Sequence, residues 1–184
     1  MSEAIQTLRS EHKTMARMLN LLERQIALFE QADRPDYDLL QEIIDYFLTY
    51  PDLYHHPKES LILDALRRKS PESAAPVGDI DNEHAVISER LHNFAHAVVE
   101  VLMEAEVSRD AFLELARNFF DEQRRHMIME EKVFFPAALK ALSKEDWKKI
   151  DKKVSRFSDP LTSEEDQMRF GTLRESLRND NLRA

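Results

Sequence analysis

Apolar residues recur every three or four positions along most of this chain, the period of helices that bury one face. Leu8, Met15, Met18, Leu19, Leu22, Ile26 and Phe29 form one stripe and predict a first helix over 3–31. Asp33-Arg34-Pro35 breaks it, and Asp36 is placed to cap the next helix. Leu39, Leu40, Ile43, Ile44, Phe47 and Leu48 give a second helix over about 37–69. Pro51 and Pro57 fall inside it. Each removes a backbone donor and crowds the carbonyl four residues back, which predicts kinks or a break near 51. Residues 70–78, with two prolines, read as a loop. A third helix, capped by Asp79 or Asp81, runs to about 105 with Ile80, Ile87, Leu91, Phe94, Val98 and Leu102 on one face. A fourth, capped by Ser108, runs to about 141, and Pro136 bends its last turn.

Beyond it, Ser143-Lys144-Glu145-Asp146 has the form of a capping box and opens a short fifth helix through about 155. A sixth is expected over 162–179, carrying Met168, Phe170, Leu173 and Leu177, with the chain fraying from Asn179 onward. Four long helices on short connections predict an all-α, up-down-up-down antiparallel four-helix bundle over 1–142. The two short C-terminal helices of 143–184 are expected to pack on that bundle or on a second subunit, as a homodimer.

Composition narrows the chemistry. Two glycines in 184 residues is a long-helix composition. With no cysteine there are no disulfides, thiolate-bound clusters or thiol catalysis. A formal charge of −9 leaves no basic face for nucleic acid. The N-terminus lacks a signal-peptide pattern, and Glu100 and Glu104 interrupt the longest apolar run, so no membrane span is expected and the protein reads as cytoplasmic. Seven histidines are left as the carriers of chemistry.

Four of them are spaced as a repeat. His12 and His84 lie early in helices one and three, each preceded by a glutamate. His55 follows His12 by 43 residues and His126 follows His84 by 42, each opening a His-x-x-x-Glu pair with Glu59 or Glu130. Residues at i and i+4 share a helix face, and a fixed internal spacing marks a duplicated helical hairpin. At ~1.5 Å per residue in helices of alternating direction, all four histidines fall in one half of the bundle. The inferred cluster is His12, His55, Glu59, His84, His126 and Glu130. Each alone has a plainer role, as a core histidine or a solvated carboxylate. Together in one layer they do not, because burying them without a cation is strongly unfavourable. Six donors exceed one tetrahedral zinc and suit two octahedral ions with positions left open, bridged by both glutamates; imidazole with carboxylate favours two iron ions, with manganese or zinc as alternatives. Glu11 and Glu83 are rotated ~100° from the histidines beside them and fall outside the donor set. Glu131 reads as a solvated charge, and His92 and His96 as surface groups or as groups behind a ligand. His56 is expected to face solvent or to hydrogen-bond a ligand, and Tyr46, Tyr50 and Tyr54 to pack, with one of them able to point at the site.

These residues, with Leu61-Ile62-Leu63 after the first pair and Phe134-Phe135-Pro136 after the second, resemble the hemerythrin-like (HHE cation-binding) family over about 5–142. The resemblance implies a non-haem di-iron centre bridged by the two carboxylates and an oxo or hydroxo group. The chain departs from the oxygen carriers of that family, which have a second histidine one turn from the position of His84, where Ile80 and Ser88 stand, and an aspartate in place of Glu130. Four histidines and two carboxylates leave an extra open position on one metal. Relatives that repair iron–sulfur clusters carry a cysteine-bearing segment that this chain lacks. The expected function is binding of a small gaseous or peroxide ligand (oxygen, nitric oxide or hydrogen peroxide) in sensing, storage or detoxification. The alternatives are a di-iron oxidase or peroxidase acting on an organic substrate, and a non-enzymatic sensor acting through a protein partner.

Overall fold

The computed structural model describes residues 2–103, 107–157 and 169–181, and every regular element among them is helical. Helix α1, Glu3–Glu30, buries Ile5, Leu8, Met15, Met18, Leu19, Leu22 and Ile26. It ends in a Schellman motif: Asp33 N–H donates to the Leu28 carbonyl at 2.9 Å and Ala32 N–H to Phe29 at 3.1 Å. Ala32 sits at φ +60°, the left-handed conformation that favours glycine.

The second rod is α2, Tyr37–Tyr50, a π turn over Pro51–His55, and α3, His56–Lys69. Asp36 caps α2 by accepting from Leu39 N–H at 3.0 Å. The kinks or break expected near 51 take the form of this wide turn, whose closing bond runs from His56 N–H back five residues to the Pro51 carbonyl. Pro57 has no N–H for the carbonyl four residues earlier and its ring would crowd it, and the wider turn relieves both. The same solution recurs downstream. Helix α4 (Pro71–Ala74) and a 3₁₀ turn (Ala75–Val77) come first, and they replace the expected loop. Pro71 starts that turn of helix, where a missing N–H is harmless. Helix α5, Ile80–Leu102, is capped by Asp79, which accepts from Asn82 N–H. The expected continuation to 105 reaches residues outside the described set. Helix α6, Arg109–Met129, is followed by a second π turn, Glu130–Phe134, and by α7, Phe135–Ala141, with Pro136 two residues beyond the turn, as Pro57 is beyond the first.

Helix α8, Lys144–Val154, carries the expected capping box between Ser143 and Asp146. Helix α9 spans Gly171–Asn181, so of the expected 162–179 helix the described part starts at Gly171, and Met168 lies outside the described residues. Both are fastened to the body by carboxylates at helix starts. Asp151 of α8 accepts from Ser2 Oγ and Ala4 N–H at the start of α1, and Glu42 of α2 accepts from Thr172 and Leu173 N–H at the start of α9.

In the bundle, α5 packs on α6, α6 on α1, α1 on α2 and α2 on α5. Its interior holds two apolar clusters, one centred on Met15, Phe47, Phe94 and Phe119, the other on Leu8, Ile62, Phe134 and Trp147. Each long rod passes from one to the other: α1 from Leu8 to Met15, the second rod from Tyr50 to Ile62, α5 from Ile80 to Ile87, and the last from Met127 to Phe134. The histidines and glutamates of interest lie at these four crossings. Among the described residues no helix is long and apolar enough to cross a membrane.

The Ala32 conformation yields a stability prediction. Ala32→Gly removes the left-handed penalty and is expected to raise unfolding stability by about 1 kcal/mol. Denaturant unfolding checks it, and an unchanged or lowered midpoint contradicts the assignment of strain at this cap.

Candidate metal centre

All six residues singled out above meet between the two apolar clusters. They form two groups whose donor atoms lie within 4.8 Å of one another: His12, His55, Glu59 and Glu130 in one, and His84, His126, Glu59 and Glu130 in the other. Within the first group the His12 and His55 Nε2 atoms are 3.2 Å apart; within the second, His84 and His126 Nε2 are 3.1 Å apart. The glutamates belong to both. Glu59 sets Oε1 3.0 Å from His55 and Oε2 3.3 Å from His84. Glu130 sets Oε2 3.2 Å from His12 and Oε1 3.3 Å from His126.

Each inner nitrogen is aimed by what its ring does on the other side. Glu11 Oε2 holds His55 Nδ1 at 2.8 Å, Glu83 Oε2 holds His126 Nδ1 at 2.9 Å, and Glu131 Oε1 holds His12 Nδ1 at 3.1 Å. A carboxylate on Nδ1 fixes the ring and leaves Nε2 facing the centre. Glu131 is therefore a supporting group and not the surface charge expected of it; the turn at 130–134 swings it toward α1, where Arg9 also binds it at 2.9 Å. Phe135 stacks on His12, with ring centroids 5.4 Å apart. His84 is held instead by His56, stacked at 3.5 Å between centroids, whose Nδ1 lies 3.0 Å from Asp52. Lys58, fully buried, donates to Glu11 and lies 3.4 Å from the Tyr50 hydroxyl. Tyr50 thus contacts Lys58, and Tyr46 and Tyr54 stack on Tyr50. His92 and His96 are exposed, with His92 bonded to the Ser88 carbonyl and His96 beside Glu100. Ile80 is buried among apolar residues, and Ser88 Oγ lies 3.4 Å from His92 Nδ1.

The electrostatics are those of a site built for positive charge. Both oxygens of Glu59 and of Glu130 are buried with no aligned hydrogen-bond partner, although imidazole nitrogens stand close by. Two ligand atoms at right angles, each ~2.1 Å from one ion, lie ~3.0 Å apart, close to the nitrogen–nitrogen and nitrogen–oxygen spacings above. The donor set therefore fits a pair of cations. Without them, protons supply the charge. Burial disfavours the His55 imidazolium, yet Glu59, Glu11 and Glu130 together raise its pKa to about 10. Burial likewise opposes the His126 imidazolium, but Glu130, Glu59 and Glu83 raise it to about 9. Burial pushes the Glu59 carboxyl up, but the His55 charge and the His55 and His84 contacts hold it well below the usual carboxylate range. Glu11 is also lowered, since His55 and Lys58 outweigh its burial. His56 is lowered, by burial first and then by the nearby His84 and His55, with Asp52 opposing.

Metal and protons therefore compete, with opposite signs in pH. In the metal-free protein the raised histidines stabilise the fold fully below about 6.5, and that contribution is lost as pH rises through about 9 to 10. The lowered Glu11 and Glu59 contribute above 4.5, and their share is lost as pH falls through the depressed folded values. Metal binding needs His55 and His126 neutral, so uptake at pH 7 is expected to release about two protons and to tighten toward pH 10. Titration with zinc(II) in weakly buffered indicator, beside melting curves of the metal-free protein, checks both signs. Uptake without proton release contradicts this account.

Residues 3–138, which contain all six donors, match the family described as the hemerythrin HHE cation binding domain. No curated protein and no solved structure matches the chain significantly. A match of that extent, over a bundle whose central layer fits paired cations, makes this chain a member of the hemerythrin HHE cation-binding family.

Proposed function

We propose that the protein is a non-haem di-iron protein that binds a small diatomic or peroxide ligand, in sensing, storage or detoxification. Its four rods alternate in direction on this reading, which the order of their passage between the two apolar clusters supports. His12 and His55 would hold one ion and His84 and His126 the other, with Glu59 and Glu130, which belong to both groups, shared between them. A bound pair of irons supplies Lewis acidity and a shared redox change. The chain's own residues do the rest. Glu11, Glu83 and Glu131 keep the ring protons on Nδ1 of His55, His126 and His12, so that Nε2 is the free donor. Phe135 and the apolar clusters on either side keep bulk water from the carboxylates.

The observation that carries the small-ligand reading is the approach to the site. His84, 11% exposed, is the most open of the six donors and lines a cleft of about 20 Å³ with Pro51, His56, Ile87 and Leu91. That is room for about one water-sized molecule, far below the ~300 Å³ of an ordinary organic-ligand site. Larger surface grooves, such as that of about 820 Å³ between α1, α2 and α9, lie away from the donors and contain no histidine. Neither Tyr50 nor Tyr54 lines the cleft.

Anaerobic reconstitution with ferrous iron is expected to give about two irons per chain, and Glu59→Ala with Glu130→Ala to lower this below one. Adding oxygen, nitric oxide or hydrogen peroxide to the loaded protein should change its optical spectrum, whereas a phenolic donor with peroxide should turn over no faster than with free iron. A loaded protein indifferent to all three small ligands, or a fast phenol oxidation, overturns the proposal.

A further inference from the structure

The two halves of the donor set are alike in their inner nitrogens and unlike in the charges behind them. Around His12 and His55 each supporting carboxylate has its own cation. Glu11 is bound by Lys58, and Glu131 by Arg9 at 2.9 Å. Around His84 and His126 no such cation is present among the described residues. Glu83, one-quarter exposed, faces His126 alone, and Asp52 stands behind His56, which stacks on His84. Arg125, beside His126 in the chain, is exposed and paired to Glu122. The sequence repeat shows where the difference arises. Lys58 precedes Glu59 as Met129 precedes Glu130, and Glu131 follows Glu130 as Ser60 follows Glu59. A buried lysine is costly unless paired, and here it is enclosed beside the Tyr50 ring with Glu11 as its carboxylate partner.

A carboxylate on Nδ1 strengthens an imidazole donor, and a cation on that carboxylate offsets the effect. The buried Lys58–Glu11 pair is weakly screened, so its charge weighs most, whereas Arg9, Glu131, Glu83 and Asp52 are partly exposed and are screened more. We infer that Lys58, aided by Arg9, makes the two metal positions unequal, so that a divalent ion loads first at the His84–His126 position and second at the His12–His55 position. Lys58 is on this account a positioning and charge-setting residue, acting through Glu11. The inference rests on the two-metal reading above and adds an order to it.

The test is an anaerobic titration of the full chain with cobalt(II), followed by absorbance and chelator competition. Wild type is expected to show two steps separated by about tenfold or more beyond the statistical ratio for equal sites. His126→Ala should remove the tight step and His55→Ala the weak one. Lys58→Met should narrow the separation by about tenfold, whereas Lys58→Arg should keep it. Should Lys58→Met lose its helical circular dichroism, Arg9→Gln, at a half-buried site, should narrow the separation in the same direction. Two equal steps in wild type, a tight step lost in His55→Ala, or a separation unmoved in the folded charge variants overturns the inference while leaving the two-metal reading intact. Uptake of one ion or none overturns both.

Discussion

Glu59 and Glu130 place four carboxylate oxygens in the middle of a helical bundle with no aligned hydrogen-bond donor on any of them. A carboxylate removed from water loses several kcal/mol even after the surroundings relax, so positive charge must face these oxygens for the fold to hold together. Four imidazoles face them at 3.0–3.3 Å; the raised His55 and His126 supply the charge as imidazolium, and bound cations would supply it in their place. The two apolar clusters then act as clamps above and below the layer. They bring four separately weak polar positions into one plane and exclude the water that would otherwise compete for them. Glu11, Glu83 and Glu131 complete the arrangement by fixing three of the rings from behind.

The same constraint accounts for the two π turns. Each borders a His-x-x-x-Glu pair: one ends on His55 and the other begins on Glu130. A wide turn holds one extra residue, which shifts the phase of everything beyond it relative to a continuous α-helix. In the last rod Glu130, still in α register with His126, faces inward, and Glu131, the next residue of the wide turn, reaches across to His12. Pro57 and Pro136, each two residues past a wide turn, make the regular alternative costlier and so fix where the turn occurs.

The helical rods and the polar layer were legible in the sequence because both are periodic. The apolar stripes have the helical repeat, and His12, His55, His84 and His126 return at matched separations that only a duplicated hairpin explains economically. The supports were not legible, because their partners lie across helix interfaces. Glu11 and Glu83 were placed off the donor face by their rotation from His12 and His84, and that is the reason each faces the next rod and meets His55 or His126. Nothing in the spacing singles out Lys58, between Pro57 and Glu59; its role shows only in its contacts with Glu11 and Tyr50. The prolines signalled an irregularity near 51 and 136, but whether a helix breaks, bends or widens depends on what the flanking turns pack against. The short α4 was hidden for a related reason. A stretch with two prolines looks like a loop, and only the burial of Ala74 and Val77 against the lower cluster draws it into helical turns.

Duplication constrains the inner and outer residues differently. A glutamate that serves both donor groups must keep its place in both halves, since moving either one disrupts two histidine contacts at once. The residues behind the rings touch one half each and are free to differ, and here they do: Lys58 against Met129, Ser60 against Glu131, His56 against Met127. The differences converge on one side. The half with uncompensated carboxylates, His84 and His126, is also the half that the small cleft reaches through His84. Electron-rich donors and access therefore coincide at the same position, while the half enclosed by Phe135, Arg9 and Lys58 is both neutralised and shut. On the two-metal proposal, the ion held by His84 and His126 would be the one an incoming ligand meets, an inequality that the near-symmetric inner donors alone do not provide.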